Sequence, residues 1–281
     1  KRSKVAITEG IRQSISNQQP RFNEWFYPTV QFVMAGSDAE GLRYGTIGTP
    51  EPFFLNWKEE DESADGHLLD KYLGKIFEKE RLLELVKDFV LFDGGIKKLP
   101  RVHQYFGIKA AQETIKQGNG GIIWHTQGSG KSIVMVLLTK WILENNPDAR
   151  VVIVTDRDEL DKQIKDVFTN AGEEIKRASS GSDLLYSLSQ PNPRLICSLV
   201  HKFGRQGVED FEGYINQLRA KESNVFGDIF VLVDECHRTQ SGTLHRLMKA
   251  QLPNANFIGF TGTPLLRTDK QTTHEVFGKY I

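Results

Sequence analysis

The chain has 281 residues, of which 39% are hydrophobic, so it can bury one large core or two modest ones. Lysine plus arginine number 36, as do aspartate plus glutamate, which excludes a basic tail but leaves open DNA binding through a local surface. The two cysteines, Cys197 and Cys236, lie beside apolar runs, and no apolar run reaches ~18 residues, so we expect buried, reduced thiols in a cytoplasmic protein with no membrane partner.

The N-terminal part of the chain is predicted to mix helices with antiparallel strands. Apolar positions between residues 5 and 17 predict a short helix capped by Thr8. Residues 30–34 and 42–47 predict a β-hairpin, because a turn-forming stretch over 36–41 separates the two apolar segments.

Two helices are predicted to connect this part to the rest of the chain. The acidic stretch 56–66 predicts a solvated loop or linker before them. Apolar spacing predicts one helix over 76–92, halted at the glycines that follow Asp93, and a second over 102–117. We therefore predict a boundary near residues 93–100, with domains over 1–95 and 96–281.

Beyond residue 120, short apolar runs alternate with helical stretches. Near-continuous apolar strands separated by helical crossovers predict an α/β domain with a mostly parallel sheet, covered on both faces. The predicted strands are 122–124, 151–155, 195–198, 229–233 and 256–260.

A glycine-rich stretch, HTQGSGKS at residues 125–132, joins the first of these strands to a helix. Its glycines let backbone amides surround phosphate oxygens, Lys131 supplies a positive charge, and Ser132 can ligate Mg²⁺. His125 stands where the full phosphate-loop pattern has glycine, and a chance strand-to-helix turn is the alternative. The predicted ATP-binding residues are Thr126, Gln127, Gly128, Ser129, Gly130, Lys131 and Ser132.

Two adjacent carboxylates, Asp234 and Glu235, follow the apolar strand that ends at Val233. The carboxyl ends of strands are where α/β sheets bind ligands. Asp234 is predicted to hold Mg²⁺ and Glu235 to orient and deprotonate the attacking water, so that both join Lys131 as catalytic residues. A solvated acidic loop is the alternative, and the phosphate loop makes it much less favourable.

A third polar stretch, FTGTP at residues 260–264, also follows an apolar strand. Its residues Thr261, Gly262 and Thr263 are predicted to sense the γ-phosphate and to pass that state on. Taken alone, this stretch has ordinary turn chemistry.

In their order and spacing, TQGSGKS, DECH and FTGTP resemble motifs I, II and III of superfamily 2 helicases and translocases. VTDRDELDKQ, residues 154–163, is similar to motif Ia. HTQGSGKS after Trp124, together with VMAGSDAEGLRYGT and HQYFGIKAA, narrows the resemblance to the restriction (R) subunit of type I restriction-modification enzymes. It covers essentially the whole chain.

This resemblance implies a fold, an activity and partners. The fold is a RecA-like P-loop domain preceded by the C-terminal part of an α+β nuclease-type domain of the PD-(D/E)xK class. The activity is that of a type I site-specific deoxyribonuclease subunit that hydrolyses ATP with Mg²⁺ and translocates double-stranded DNA to power cleavage. The partners are DNA and the modification (methyltransferase) and specificity subunits.

The resemblance also implies roles for single residues. Gln104 matches a position that recognises adenine, the alternative being an exposed helix residue. Thr155, Arg157 and Asp158 are predicted DNA contacts, although Asp158 is an equally plausible helix cap. His237 is predicted to couple nucleotide to DNA.

The nuclease half of the activity has little support in the sequence itself. Lys1 matches the last residue of the nuclease motif, and the one Glu-x-Lys triplet, at residues 174–176, is interpreted as chance. We expect the chain to be a fragment that lacks most nuclease residues and the second motor domain, binds ATP weakly, barely hydrolyses it and cuts no DNA.

Three alternatives stay open at this point. The first is another superfamily 2 DNA helicase or a type III restriction motor, which would share motifs I to III. The second is a P-loop small-molecule ATPase or kinase. The third is a non-catalytic module in which residues 1–95 dock a partner.

Overall fold

The computed structural model describes residues 6–59, 67–155, 158–199, 225–236, 246–263 and 276–281, with the backbone alone for 158–163. The chain divides into two compact units, Lys1–Phe106 and Gly107–Ile281. The predicted boundary between residues 95 and 96 precedes this division. Within the described ranges, no helix is both long and apolar enough to cross a membrane.

The first unit contains a three-stranded antiparallel sheet of β1 (Val33–Ser37), β2 (Gly41–Gly45) and β3 (Leu55–Asn56). Helix α1 (Ile7–Asn17) packs on one face through apolar side chains that include Ile7, Ile11, Val33 and Ala35. Helix α2 (Leu68–Ile76) covers the other face, where the absent side chains of Gly36 and Gly41 leave room for Leu69 and Tyr72. Two short 3₁₀ segments, Glu24–Thr29 and Glu51–Phe53, complete the connections.

The hairpin prediction is confirmed, but its strands lie elsewhere along the chain. Strand β1 includes Gly36 and Ser37, which were predicted to belong to the turn. The predicted cap at Thr8 is wrong, because the N-terminal cap of α1 is Ala6, two residues earlier. The amide of Ile7 donates to Oε1 of Glu40 at 2.8 Å, so the hairpin turn satisfies the start of the helix.

The helix predicted over 76–92 is confirmed only over Lys79–Asp88, and the predicted bounds are wrong at both ends. Helix α2 ends at Ile76, and α3 (Lys79–Asp88) begins after Glu78, whose carboxylate accepts from the amides of Glu80 and Arg81. The antiparallel pair β4 (Leu91–Asp93) and β5 (Ile96–Lys98) follows. The glycines after Asp93 therefore turn a hairpin instead of ending a helix.

The second unit is an α/β domain around a six-stranded, fully parallel sheet. Its elements are β6 (Gly121–Trp124), α5 (Lys131–Asn145), β7 (Ala149–Thr155), α6 (Asp158–Asn170), β8 (Lys176–Arg177), α7 (Gly181–Leu188), β9 (Leu195–Leu199), β10 (Asp228–Val233) and β11 (Asn256–Thr261). The strands lie in the order β6-β11-β10-β7-β9-β8. Helix α4 (Val102–Lys116) runs from the first unit into the second, and residues 246–251 are also helical. The predicted strands, the second helix and the parallel α/β class are confirmed, and β8 is an addition.

The central strands are buried because helices cover both faces of the sheet. Every residue of β7 is buried, as are five of the six in β10. This accounts for the near-continuous apolar runs in the sequence, since neither face of the central strands is open to solvent.

A buried arginine fixes α7 to the sheet. Arg150 on β7 is 1% exposed, and its guanidinium donates to the carbonyl oxygens of Ser187 at 2.7 Å and Leu188 at 2.8 Å. It also donates to the carbonyls of Gln190 and, at 2.6 Å, Pro193. These bonds satisfy the C-terminal carbonyls of α7 and of the turn after it.

Candidate nucleotide-binding site

Three polar segments meet at one edge of the sheet because the strands that carry them are neighbours. Strand β11 lies between β6 and β10, and all three are parallel, so their carboxyl ends lie together. The end of β6 leads into residues 125–132, the end of β10 into 234–236, and the end of β11 into 261–263. This is the edge at which α/β sheets bind ligands.

The glycine-rich loop has the backbone of a phosphate-binding loop. Gly128 and Gly130 adopt positive φ angles of 78° and 84°, and Gly130 is the N-terminal cap of α5. A side chain at Gly128 would meet nothing within 4 Å, so the loop is open there. The first amides of a helix have no partner within the helix and carry its positive dipole end. The 15-residue helix α5 therefore presents a site suited to an anion.

Lys131, the first residue of α5, reaches the carboxylate that follows β10. Its Nζ lies 3.1 Å from Oε1 of Glu235, with side-chain exposures of 11% and 20%. The amide of Gly262 donates to Oε2 of Glu235 at 3.4 Å. A Cβ at Gly262 would lie 2.9 Å from Nζ of Lys131, so the absence of a side chain at Gly262 leaves room for the ammonium in this position. One residue from each segment therefore takes part in a single contact.

The Asp234–Glu235–Cys236 turn is held on both sides by neighbouring strands. The amide of Asp234 donates to the carbonyl of Val154 at 2.9 Å, and that of Cys236 to the carbonyl of Phe260 at 3.0 Å. Oδ1 of Asp234 accepts from the amide of Glu235 at 3.0 Å. Burial, followed by the charges of Asp234 and Glu235, raises the pKa of the Cys236 thiol well above its usual range.

The third segment is joined to the phosphate loop through the backbone. The amide of His125 donates to the carbonyl of Thr261 at 3.0 Å. The hydroxyl of Thr261 is buried, donates to the carbonyl of Thr263 at 2.8 Å and accepts from the amide of Thr263 at 3.2 Å. A backbone hydrogen bond therefore joins the start of the phosphate loop to the third segment.

Residues 103–281 match the SWI2/SNF2 ATPase family, which is more than half of the chain. The chain belongs to this family. One relative, the type I restriction enzyme HindI endonuclease subunit of Haemophilus influenzae, is 32% identical over an alignment that covers 87% of this chain and 26% of that protein. Another, the SauMSSORF170P endonuclease subunit of Staphylococcus aureus, is 30% identical, covering 64% of this chain and 19% of that protein.

The chain therefore spans about a quarter, or less, of the length of these relatives. Their names confirm the resemblance to type I restriction R subunits. Among solved structures, the UvsW helicase from bacteriophage T4 has a TM-score of 0.50 at 16% identity, covering 73% of this chain and 67% of that one. At this identity it supports the fold alone, a RecA-like helicase domain.

Gln104, the predicted adenine contact of this SWI2/SNF2 ATPase, is not an exposed helix residue. It is 3% exposed, and its Oε1 accepts from the amide of Arg101 at 2.8 Å. Glutamine three residues after the helix cap commonly bonds back to the cap amide. The exposed alternative is therefore wrong, and adenine recognition stays a prediction.

The remaining predicted residues are only partly described. Thr155 is fully buried at the end of β7, so its side chain offers DNA no surface from this position. Asp158 begins α6, but its side chain lies outside the described residues, as do Lys1, Arg157 and His237 entirely. The Glu-x-Lys triplet has a structural use, because Nζ of its lysine, Lys176, pairs with Oδ1 of Asp183 at 2.9 Å.

Two glycines that the sequence did not single out make room for side chains of the site. A Cβ on Gly107, within α4, would lie 3.0 Å from Nε2 of His125, so this glycine makes room for the unusual loop histidine. A Cβ on Gly259, in β11, would likewise lie 2.6 Å from Sγ of Cys236, so this glycine makes room for the thiol. A glycine inside a helix or strand is itself a signal of close packing, and both were visible in the sequence.

Proposed function

We propose that this chain is the first motor domain of a type I restriction enzyme, which hydrolyses ATP to move double-stranded DNA and so powers its cleavage. The observation that carries the proposal is the contact of Lys131 with Glu235 beside Gly262, which joins the three motifs of a nucleotide-hydrolysing site. Membership of the SWI2/SNF2 ATPase family supports the use of ATP.

The residues of the site fit ATP with Mg²⁺. The open loop at Gly128 and the amides at the start of α5 would hold the phosphates, together with Lys131. Ser132 and the nearly buried Asp234 would hold Mg²⁺, which supplies charge to stabilise the transferring phosphoryl group. Thr126, Gln127, Ser129 and Gly130 complete the loop, and Gln104 is the proposed adenine contact.

In this proposal Glu235 is the general base. Its carboxylate lies at the mouth of the phosphate loop, where it orients the attacking water and accepts its proton. Lys131 leaves the carboxylate when a more negative phosphate is available, because a doubly charged oxyanion attracts the ammonium more strongly. Gly262, Thr261 and Thr263 report this change, and His237 couples it to DNA.

The DNA part of the proposal rests on the family and on the relatives. Arg157 and Asp158, with the segment around Thr155, would face the DNA backbone after β7. The modification and specificity subunits would supply site recognition, and residues 1–95 would belong to the nuclease-type domain with Lys1 at its motif. A small-molecule ATPase or kinase leaves the second and third motifs without a use.

The test uses the natural polypeptide that contains this chain, assembled with its modification and specificity subunits. Lys131→Ala is compared with Lys140→Ala, which removes a lysine of the same helix whose partner, Glu173, lies outside the site at 3.4 Å. We expect ATP hydrolysis to rise when linear duplex DNA is added, and Lys131→Ala to lower it by about 100-fold or more. Lys140→Ala should behave as the unaltered enzyme.

Two results would contradict the proposal. Hydrolysis that is indifferent to DNA and to the partner subunits would favour a small-molecule ATPase. Full DNA-dependent hydrolysis by Lys131→Ala would mean that the nucleotide is not bound and hydrolysed at the phosphate loop.

A further inference from the structure

We propose that Gly259 and Cys236 are positioning residues that hold the carboxylate of Glu235 at the phosphate loop. The inference rests on the proposed function, in which Glu235 activates water. Neither residue is exposed, since Cys236 is 1% exposed and Gly259 is buried, so both act through Glu235 and not on the nucleotide.

Glu235 has an unusual backbone conformation. Among the described residues other than glycine, it is the one with a positive φ, at 50°. This left-handed region is unfavourable for a residue with a Cβ, and it persists where the surrounding structure imposes it. The position of the Glu235 carboxylate is therefore imposed by its neighbours.

The neighbours that impose it are the two amides on either side. Asp234 is bonded to β7 and Cys236 to β11, so the backbone must turn sharply between anchors on opposite sides of β10. The left-handed residue is the one between them. If the anchor at Cys236 moved, Glu235 could relax to an ordinary conformation and its carboxylate would leave Lys131.

The anchor at Cys236 depends on the absence of a side chain at Gly259. A Cβ built on Gly259 would lie 2.6 Å from Sγ and 3.0 Å from Cβ of Cys236, and 3.2 Å from Cδ1 of Phe277. A contact of 2.6 Å between carbon and sulfur does not occur in real structures, and the other two contacts are tight, so something must move. The sulfur is two bonds from the backbone and is enclosed, so the movement reaches the turn that carries Glu235.

The test compares kcat, KM and nucleotide Kd in the assembled enzyme for Gly259→Ala and for Gly74→Ala. Gly74 lies in α2 with nothing within 4 Å of its added Cβ, so it is a matched control expected to be neutral. Gly259→Ala is expected to lower kcat by about tenfold or more, because small displacements of a reacting group are costly. Nucleotide binding is retained, and Kd falls by up to about fivefold because the ion pair between Glu235 and Lys131 is weakened.

A second substitution, at Cys236, should restore the kcat that Gly259→Ala lowers. In the double variant Cys236→Ala/Gly259→Ala the sulfur is absent, so the added Cβ is accommodated and kcat is expected to recover most of its loss. Cys236→Val crowds the same contact from the other side and is expected to lower kcat as well. It decides the proposal even if Gly259→Ala does not fold.

Glu235→Gln separates this inference from the function on which it rests. If Glu235→Gln hydrolyses ATP normally, the proposed function has failed. If Glu235→Gln is inactive but Gly259→Ala and Cys236→Val match Gly74→Ala, the positioning proposal is overturned. The positioning proposal is also overturned if kcat falls only in those variants whose melting temperature falls and the double variant does not recover its kcat.

Discussion

Lys131 and Glu235 neutralise each other at 3.1 Å in a site that is suited to phosphate. The same lysine charge is therefore shared between a carboxylate of the protein and the incoming phosphates. A ligand that binds Lys131 must first replace that ion pair, and this replacement reduces the observed affinity.

Substitution of Glu235 by glutamine is accordingly expected to strengthen nucleotide binding while it abolishes turnover. An ion pair with exposures of 11% and 20% is worth about 1 kcal/mol, so the nucleotide Kd should fall by about fivefold. The measurement is a titration with a non-hydrolysable ATP analogue. Glu173→Gln, which breaks the pair with Lys140 outside the site, is the control. A weaker affinity in Glu235→Gln would mean that the carboxylate assists binding.

At the scale of secondary-structure elements, Arg150 adds to the contacts that attach α7 to the sheet, beside those that Lys176 makes with Asp183 and Ser187. Four carbonyl oxygens around the end of α7 accept from the guanidinium of Arg150. Burial without a carboxylate partner among these bonds lowers the pKa of Arg150. A neutral side chain of similar length would remove the arginine donors. The carbonyls of Ser187 and Leu188 would keep backbone donors, but the partly buried carbonyls of Gln190 and Pro193 would lose theirs, which is costly.

Arg150→Met is therefore expected to lower the free energy of unfolding by about 3 kcal/mol. Urea denaturation followed by circular dichroism measures this change. Lys140→Ala, which removes a partly exposed ion pair, should cost less than about 1 kcal/mol. Equal stabilities for the two variants would show that water replaces the arginine without penalty.

The strands of the second unit could be predicted because a buried parallel strand is a continuous apolar run, as in residues 151–155. Strand β8 could not, since Lys176 and Arg177 are both charged. The start of α1 depends on Glu40, which lies 33 residues away in the sequence. The break before α3 depends on a glutamate cap, while the apolar spacing continues on either side of it.

In the site, too, features that are local in sequence could be predicted and features that depend on distant contacts could not. Residues 125–132, 234–235 and 261–263 were visible because each motif is local in sequence. The roles of Gly107 and Gly259 were not, because each depends on a contact with a side chain from another element. Sequence therefore predicts which polar segments come together better than it predicts what holds them in place.

At the scale of the whole molecule, equal numbers of acidic and basic residues give no long-range attraction to DNA. The proposed contacts after β7 must therefore act locally and along the phosphate backbone. Backbone contacts release counterions and do not distinguish one sequence from another.

For the polypeptide without its specificity subunit, we expect duplex affinity to fall by about tenfold or more between about 50 and 200 mM salt. Fluorescence anisotropy with two labelled duplexes of equal length and unrelated sequence measures this. The two affinities should agree at each salt concentration. A clear preference for one duplex would place base recognition within this polypeptide.

The two native cysteines are both in the interior, Cys197 at 0% exposure and Cys236 at 1%. A thiol must be accessible and ionised to react with alkylating reagents, and the raised pKa of Cys236 disfavours ionisation as well. A cysteine introduced on the surface of this chain would thus be the one readily labelled position. Fluorophores can then be attached to follow movement of the domain with both native thiols left in place.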